Sequence, residues 1–268
     1  MNTINSGVAS SLINRNNSVQ PSQQQIASGR RINSAADDAA GLAIATRLSS
    51  QINGNQQAQQ NAVNAQSFIQ TESGALEGIN AGIQRLQELA VQQGNGILND
   101  SDRRALASEA QQITEQIRQT TEHSQFNGQN VFQAESDATA FEFQVGEDAG
   151  DNLSLSPNTL ADALNQTLSG LNFANGESSG LLNDLARLQG QITERQTELG
   201  AVNNRLDSTL SNLTQSNENS QAARSRIEDA DLATSVSELI KGQIQQQAQI
   251  ATQLQANASA ENVLRLLS

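Results

Sequence analysis

The chain predicts a mostly α-helical fold, an elongated antiparallel bundle or coiled coil with a small β-hairpin region in its middle. Three observations carry this. Aromatic residues make up only 2 % of the 268 residues, with no Trp or Tyr, which is too little bulk for one round core. Apolar residues recur at alternating steps of three and four over two long stretches, the pattern of paired helices that share narrow seams. Between those stretches the period changes to two, as in a strand.

Charge and composition narrow the function classes. The 15 basic and 28 acidic residues give a formal net charge of −13, which disfavours nucleic acid and membrane surfaces as partners and favours solubility before assembly. Cysteine is absent, so disulfides and thiolate chemistry are excluded. No run of about 18 apolar residues offers a transmembrane span. The opening MNTINSGVASSLI lacks the basic-then-apolar pattern of a signal peptide, so the chain either stays inside or leaves by a route that reads no such signal.

Taken in order, residues 1–27 hold one narrow apolar stripe, Ile4, Val8 and Leu12, that cannot make a core alone. Pro21 interrupts the pattern and is expected to start or kink a helix. Further on, Asp37 and Asp38 precede an alanine-rich run beginning at Ala39, which suits a helix N-terminus and reads as a joint between helical blocks.

From Ala58 to Gln93, Ala62, Ala65, Ile69, Glu72, Leu76, Ile79, Ile83, Leu86 and Ala90 form a heptad seam with one polar interruption. Glu72 is expected to set register or to snorkel outward. Gly94, Asn95 and Gly96 end this rod, and Asn99 to Asp102 cap a following helix carrying Leu106, Ala110, Ile113 and Ile117.

The middle third then alternates apolar and polar residues in Phe141 to Val145 and in Leu153 to Leu155, which predicts a hairpin. Phe126, Phe132, Phe141, Phe143 and Phe173 are expected to make a local core there. Helical spacing returns from about Leu181 to Ala223 in Leu185, Leu188, Ile192, Leu199, Val202, Leu206, Leu210 and Leu213, and this second rod should pair antiparallel with the first. The closing segment carries Val236, Ile240, Ile244 and Leu254 and ends in Val263, Leu264, Arg265, Leu266 and Leu267. Such an apolar end is hard to hide in a monomer and suggests packing in an assembly.

Several of these stretches also carry a resemblance. IASGRRINSAADDAAGLAIA, TESGALEGINAGIQRLQELAVQ, Gln125-Phe126-Asn127-Gly128, LGAVNNRLDSTLSNL, SRIEDADLA and NVLRLL resemble the motifs of bacterial flagellins, over essentially the whole chain but without the large variable outer domains. The segment before the joint is about four residues shorter than the family's, close to one helical turn. The resemblance implies a non-enzymatic subunit without cofactors that polymerises into the flagellar filament for swimming. Residues 1–31 and 233–268 would be the inner-core helices, paired in the assembled filament, 32–57 the joint, and 58–232 an outer helical bundle with its β region at about 126–175. It further implies an extracellular location reached without a cleaved signal peptide, self-association as a helical homopolymer, and an export chaperone, a filament cap and hook–filament junction proteins as partners.

On this reading Ile4, Val8, Leu12, Val236, Ile240, Ile244, Leu254, Val263, Leu264, Leu266 and Leu267 pack the inner core. Arg31, Ile32, Asn33, Asp37, Asp38 and Gly41 form the joint. Arg85, Leu89 and Glu109 stand where flagellins present the surface recognised by a Toll-like receptor. From the residues alone, Arg85 and Glu109 read equally as solvated surface charges, and the heptads alone would also suit a non-polymerising helical adaptor or chaperone; a hook–filament junction protein would share the terminal helices, but Ala35-Ala36-Asp37-Asp38-Ala39 favours a flagellin. His123 is the only histidine, so no zinc site built on several histidines can form, and with no Cys and no plausible Ser–His pair nucleophilic catalysis has no support in the sequence. Asp37 and Asp38 lack a third carboxylate nearby in sequence, which favours capping over cation binding.

Overall fold

The computed structural model of the chain describes residues 20–134, 136, 138–171, 173 and 178–267, except for the side chains of 260, 261 and 263–267. Helices dominate: α1 at 20–28, α2 at Ala39–Gln93, α3 at Asp100–His123, α4 at Leu160–Gly170, α5 at Ser178–Glu228 and α6 at Leu232–Leu267. Two antiparallel hairpins, β1 (Gln125–Phe126) with β2 (Gln129–Asn130) and β3 (Phe141–Gln144) with β4 (Asn152–Leu155), lie between α3 and α4. No helix among the described residues is long and apolar enough to cross a membrane. The chain divides into two compact units, residues 54–216 and the remainder on either side.

In residues 54–216 the expected antiparallel pairing is present. Gln66 Nε2 donates to Asp207 Oδ1 at 2.5 Å, and Gln87 Nε2 to Gln189 Oε1 at 3.1 Å, so partners move up α2 as they move down α5. Every seam position of α2 from Ala62 to Ala90 is buried, as are Leu185, Leu188, Ile192, Leu199, Leu206 and Leu213 of α5. Val202 and Leu210 are half-buried against that core. Helix α3 begins as read: Asn99 accepts from the backbone N–H groups of Ser101 and Asp102 while Asp102 returns a bond to Asn99, a capping box. Its approach to α2 is close, because a Cβ at Gly82 would sit 2.9 Å from Ile117.

Glu72 does not snorkel. It is fully buried, and the guanidinium of Arg195 on α5 reaches it together with the Asn158 side chain, whose Nδ2 donates to Oε1 at 2.7 Å. A carboxylate held by three donors has no reason to seek water. Arg195 Nη2 also donates to the Ser156 carbonyl at 3.0 Å, and Asn158 Oδ1 accepts from the Leu160 N–H at the start of α4. This network ties the strand region to both long helices.

The middle third holds the expected hairpin, in the register Phe143 opposite Leu153, and a shorter one before it. The shorter turns on Asn127 (φ 51°) and Gly128 (φ 77°), both left-handed, as a two-residue turn matched to strand twist requires. The aromatic core centres on a residue outside that third. Phe68 of α2 meets Phe126, Phe141 and Phe143 at centroid distances of 5.8, 4.6 and 6.3 Å. Phe132 and Phe173 are buried in the same hydrophobic core. Helix α4 was not read from the sequence, because eleven residues with only four buried positions give too short a periodic signal.

Candidate functional site

The unit formed by residues 20–53 and 217–267 contains the joint. Ser28 opens it, accepting from the Arg30 N–H and donating to the Gln24 carbonyl, which ends α1. Gly29 follows at φ 69°, a left-handed turn that glycine makes without strain. The chain then runs extended beside the end of α5. Arg30 forms an antiparallel bridge with Asp229, the Arg31 N–H donates to the Glu228 carbonyl at 2.6 Å, and the Ala230 N–H donates to the Gly29 carbonyl at 3.0 Å. Side chains reinforce this pairing: Arg30 meets Glu228 at 2.7 Å, and Arg31 Nη2 donates to the Ile227 carbonyl at 2.7 Å.

Each acid of the joint closes a backbone turn. Asp37 Oδ2 accepts from the N–H groups of Asn33 and Ser34 and from the Ser34 hydroxyl. Those backbone donors, Asn33 foremost, hold its carboxyl below the usual carboxylate range. Asp38 caps α2, taking the Gly41 N–H at 2.8 Å. Ile32 is buried between these turns, and Gly41 has no room for a side chain, since a Cβ there would lie 2.7 Å from Ile32 Cδ1 and closer still to Asp38. All six joint residues read from the sequence therefore share one small structure. Their partners Ile227, Glu228 and Asp229 were not singled out, although they lie within the motif SRIEDADLA.

Past this pairing, Asp231 caps α6 through the Ala233 and Thr234 N–H groups and the Thr234 hydroxyl. Thr234 is the main cause of its lowered pKa. Helix α6 then presents Leu232, Val236, Ile240 and Ile244, four residues apart, at 50, 40, 50 and 60 % exposure, followed by Leu254 at 66 %. Large aliphatic side chains repeated at that spacing form a stripe without a cover among the described residues. Ile4, Val8 and Leu12, and the side chains of Val263, Leu264, Leu266 and Leu267, lie outside the described residues.

Arg85 lies exposed on α2 and is engaged by two carboxylates, Glu88 at 2.7 Å and Glu109 of α3 at 2.5 Å. Leu89 does not share that surface. It is 1 % exposed, because it follows the seam residue Leu86 by three positions and so turns inward.

Comparison with known proteins converges on one family. Residues 1–137 match the bacterial flagellin N-terminal helical region, and residues 185–267 match the bacterial flagellin C-terminal helical region. A flagellin of Halalkalibacterium halodurans is 36 % identical over 253 residues, covering 94 % of this chain and 92 % of that protein. The flagellar filament 30.7 kDa core protein of Treponema maltophilum is 34 % identical, with 99 % of each chain covered. Among solved structures, the flagellin of Bacillus cereus superposes with a TM-score of 0.53 at 25 % identity, over 57 % of this chain and 88 % of that one. A putative flagellar hook-associated protein from Vibrio parahaemolyticus gives a TM-score of 0.62 at 13 % identity, over 72 % of this chain and all of that one, a likeness of fold alone. With two family regions that together match most of the chain and near-full-length relatives above 30 % identity, this chain belongs to the bacterial flagellin family.

Proposed function

We propose that copies of this chain, a structural subunit of the flagellar filament, join through the apolar stripe of α6 together with the N-terminal stripe of Ile4, Val8 and Leu12. The observation that carries this reading is the row Leu232, Val236, Ile240 and Ile244, left half exposed along an otherwise Gln- and Ala-rich helix. A contact between different faces of successive copies does not close on itself and so grows a helical polymer. Residues 1–31 and 233–268 serve as the inner core, 32–57 as the joint and 58–232 as the outer bundle. The chain is exported without a cleaved signal peptide, with a chaperone shielding the stripe, and is added beneath a cap above the junction proteins. Arg85 and Glu109, with Leu89 packed beneath them, form the surface a Toll-like receptor reads.

The test is seeded polymerisation of the full chain and of an Ile240→Ser/Ile244→Ser variant, followed by electron microscopy. Wild type should give long filaments while the variant stays monomeric with unchanged helical circular dichroism. Filaments of normal length from the variant would overturn the assignment of the stripe. An Arg85→Ala monomer that activates the receptor as well as wild type would overturn the receptor surface.

A further inference from the structure

Four asparagines of the chain are followed by glycine: Asn53, Asn95, Asn127 and Asn175. In such a pair the glycine nitrogen, with no Cβ beside it, can reach the carbonyl of the preceding side chain. Asn175 lies outside the described residues, and the other three pairs sit in different surroundings. Asn53 and Gly54 are inside α2, where ring closure onto the glycine nitrogen requires the helical backbone to open and its hydrogen bonds to break. Asn127 and Gly128 are pinned at φ 51° and 77° between paired strands, with Phe126 facing Gln129 and Gln125 facing Asn130. Asn95 escapes both restraints. It and Gly96 are exposed in the turn between α2 and α3, where the Leu98 N–H reaches the Asn95 carbonyl only at 3.3 Å. The Gly96 N–H donates to no backbone carbonyl among the described residues, and a Cβ built on Gly96 would meet nothing within 4 Å. The Ile97 N–H donates to Asn95 Oδ1 at 3.3 Å, which folds the side-chain amide back over the Gly96 peptide.

We infer that Asn95 is a self-modifying site, at which the Gly96 nitrogen converts the side-chain amide to a carboxylate with water as the only co-reactant. The Gly96 amide gives its proton to solvent base, and its nitrogen bonds to Asn95 Cγ. Negative charge then develops on Oδ1, where the Ile97 N–H is already placed to stabilise it. The bond from Cγ to Nδ2 breaks, and the nitrogen leaves as ammonia after taking a proton from water. Water adds to either carbonyl of the resulting cyclic imide and opens it to an aspartate or an isoaspartate, so each event consumes one water and releases one ammonia. Either product leaves a carboxylate where a neutral amide stood, a few residues ahead of Asp100 and Asp102 in the first turn of α3. The isoaspartate also adds a main-chain carbon to the turn, which displaces the Asn95 carbonyl that Leu98 uses. The turn is thus an age mark that forms without an enzyme.

The experiment incubates the full folded chain at mildly alkaline pH in water labelled with heavy oxygen, and follows label at each asparagine by mass spectrometry of proteolytic peptides. Asn95 should take up label at least about tenfold faster than Asn53 and Asn127, a difference in barrier of about 1.4 kcal/mol. Its rate should rise with pH, because the deprotonated amide is the attacking form, and an isoaspartyl methyltransferase should mark the product. In concentrated urea the three pairs should react at similar rates. Gly96→Ala, which has room for its methyl, should keep the helical circular dichroism and slow Asn95 about tenfold. An Asn95 that stays an amide in the folded chain, or converts no faster than the other two, would overturn the assignment. The same preference for Asn95 in urea would overturn the role of the turn, and an unchanged rate in Gly96→Ala would overturn attack by the Gly96 nitrogen.

Discussion

Arg195 grips Glu72 with two prongs in the interior of the bundle, Nε to Oε1 at 2.6 Å and Nη2 to Oε2 at 3.1 Å. The two residues are 123 positions apart and come from the two long helices, and the pair also holds Asn158 and the Ser156 carbonyl. Removing one partner strands a buried charge. Arg195→Ala is therefore expected to cost about 3–5 kcal/mol. A double Glu72→Leu/Arg195→Met variant should recover most of that loss, stopping short because Asn158 and Ser156 lose their partners. Urea midpoints for wild type, single and double variants test this, and a double variant no better than the single would refute it.

Phe68 is the second point on which the hairpins depend. Its ring touches three others from β1 and β3 and is almost wholly buried. Phe68→Ala should cost about 3–5 kcal/mol. The ring-proton shifts of Phe126, Phe141 and Phe143 should collapse toward random-coil values before the helices melt. If those shifts persist in the variant, the hairpins hold themselves without the helix.

Two glycines of α2 should respond in opposite directions to the same substitution. A Cβ at Gly78 meets nothing within 4 Å, so Gly78→Ala should stabilise the chain by about 0.5–1 kcal/mol through helix propensity. At Gly41 the same change drives a methyl into Ile32 and the capping Asp38, and a loss of about 1–3 kcal/mol is expected. Thermal melts of the two variants would decide, and a stabilised Gly41→Ala chain would show that the joint yields more easily than its packing implies.

Acid should loosen the joint. Asp37 and Asp231 are both held below their ordinary pKa by N–H and hydroxyl donors that favour the charged form. A depressed folded pKa means a contribution present above the unfolded value of about 3.9 and lost as pH falls through the folded value. Hydrogen exchange at the Asn33, Ser34 and Thr234 amides, corrected for intrinsic rates, should therefore speed up below about pH 4 and stay flat between about pH 5 and 8. Protection unchanged at about pH 3 would argue that geometry, not charge, holds these turns.

Much of this architecture was legible in the chain because long periodic signals leave little choice. The α2 seam was readable residue by residue, and the cap of α3 as the stretch Asn99 to Asp102, within which Asn99 and Asp102 form the capping box. The hub was written as two interruptions that were never put together. Glu72 breaks the α2 seam, and the α5 seam jumps seven residues from Ile192 to Leu199, with Arg195 in the gap. Matching a lone acid on one rod to a lone base on the other would have found the pair and excluded snorkelling. Phe68 escaped for a similar reason, since a phenylalanine one position before the seam residue Ile69 gives no sign that strands will cover it. Of the joint's acids Asp38 caps α2 while Asp37 closes the turn before it, and the bridge to Asp229 depends on a tertiary meeting that no local pattern announces.

The hydrogen bonds between α2 and α5 also imply an order of events. Their sequence separations climb from 102 for Gln87 with Gln189, through 141 for Gln66 with Asp207 and 155 for Gln59 with Thr214, to 161 for Asn55 with Ser216. Beyond them Arg31 reaches Ile227 across 196 residues. Closing that last loop in a free chain is the costliest step in entropy, but once Asn55 and Ser216 have met it encloses only 35 residues more, a separation of 196 against 161. Folding therefore runs like a zip from the Gly94 end toward Arg31. By loop entropy the joint, which closes the widest separation of the series, is the contact expected to form last.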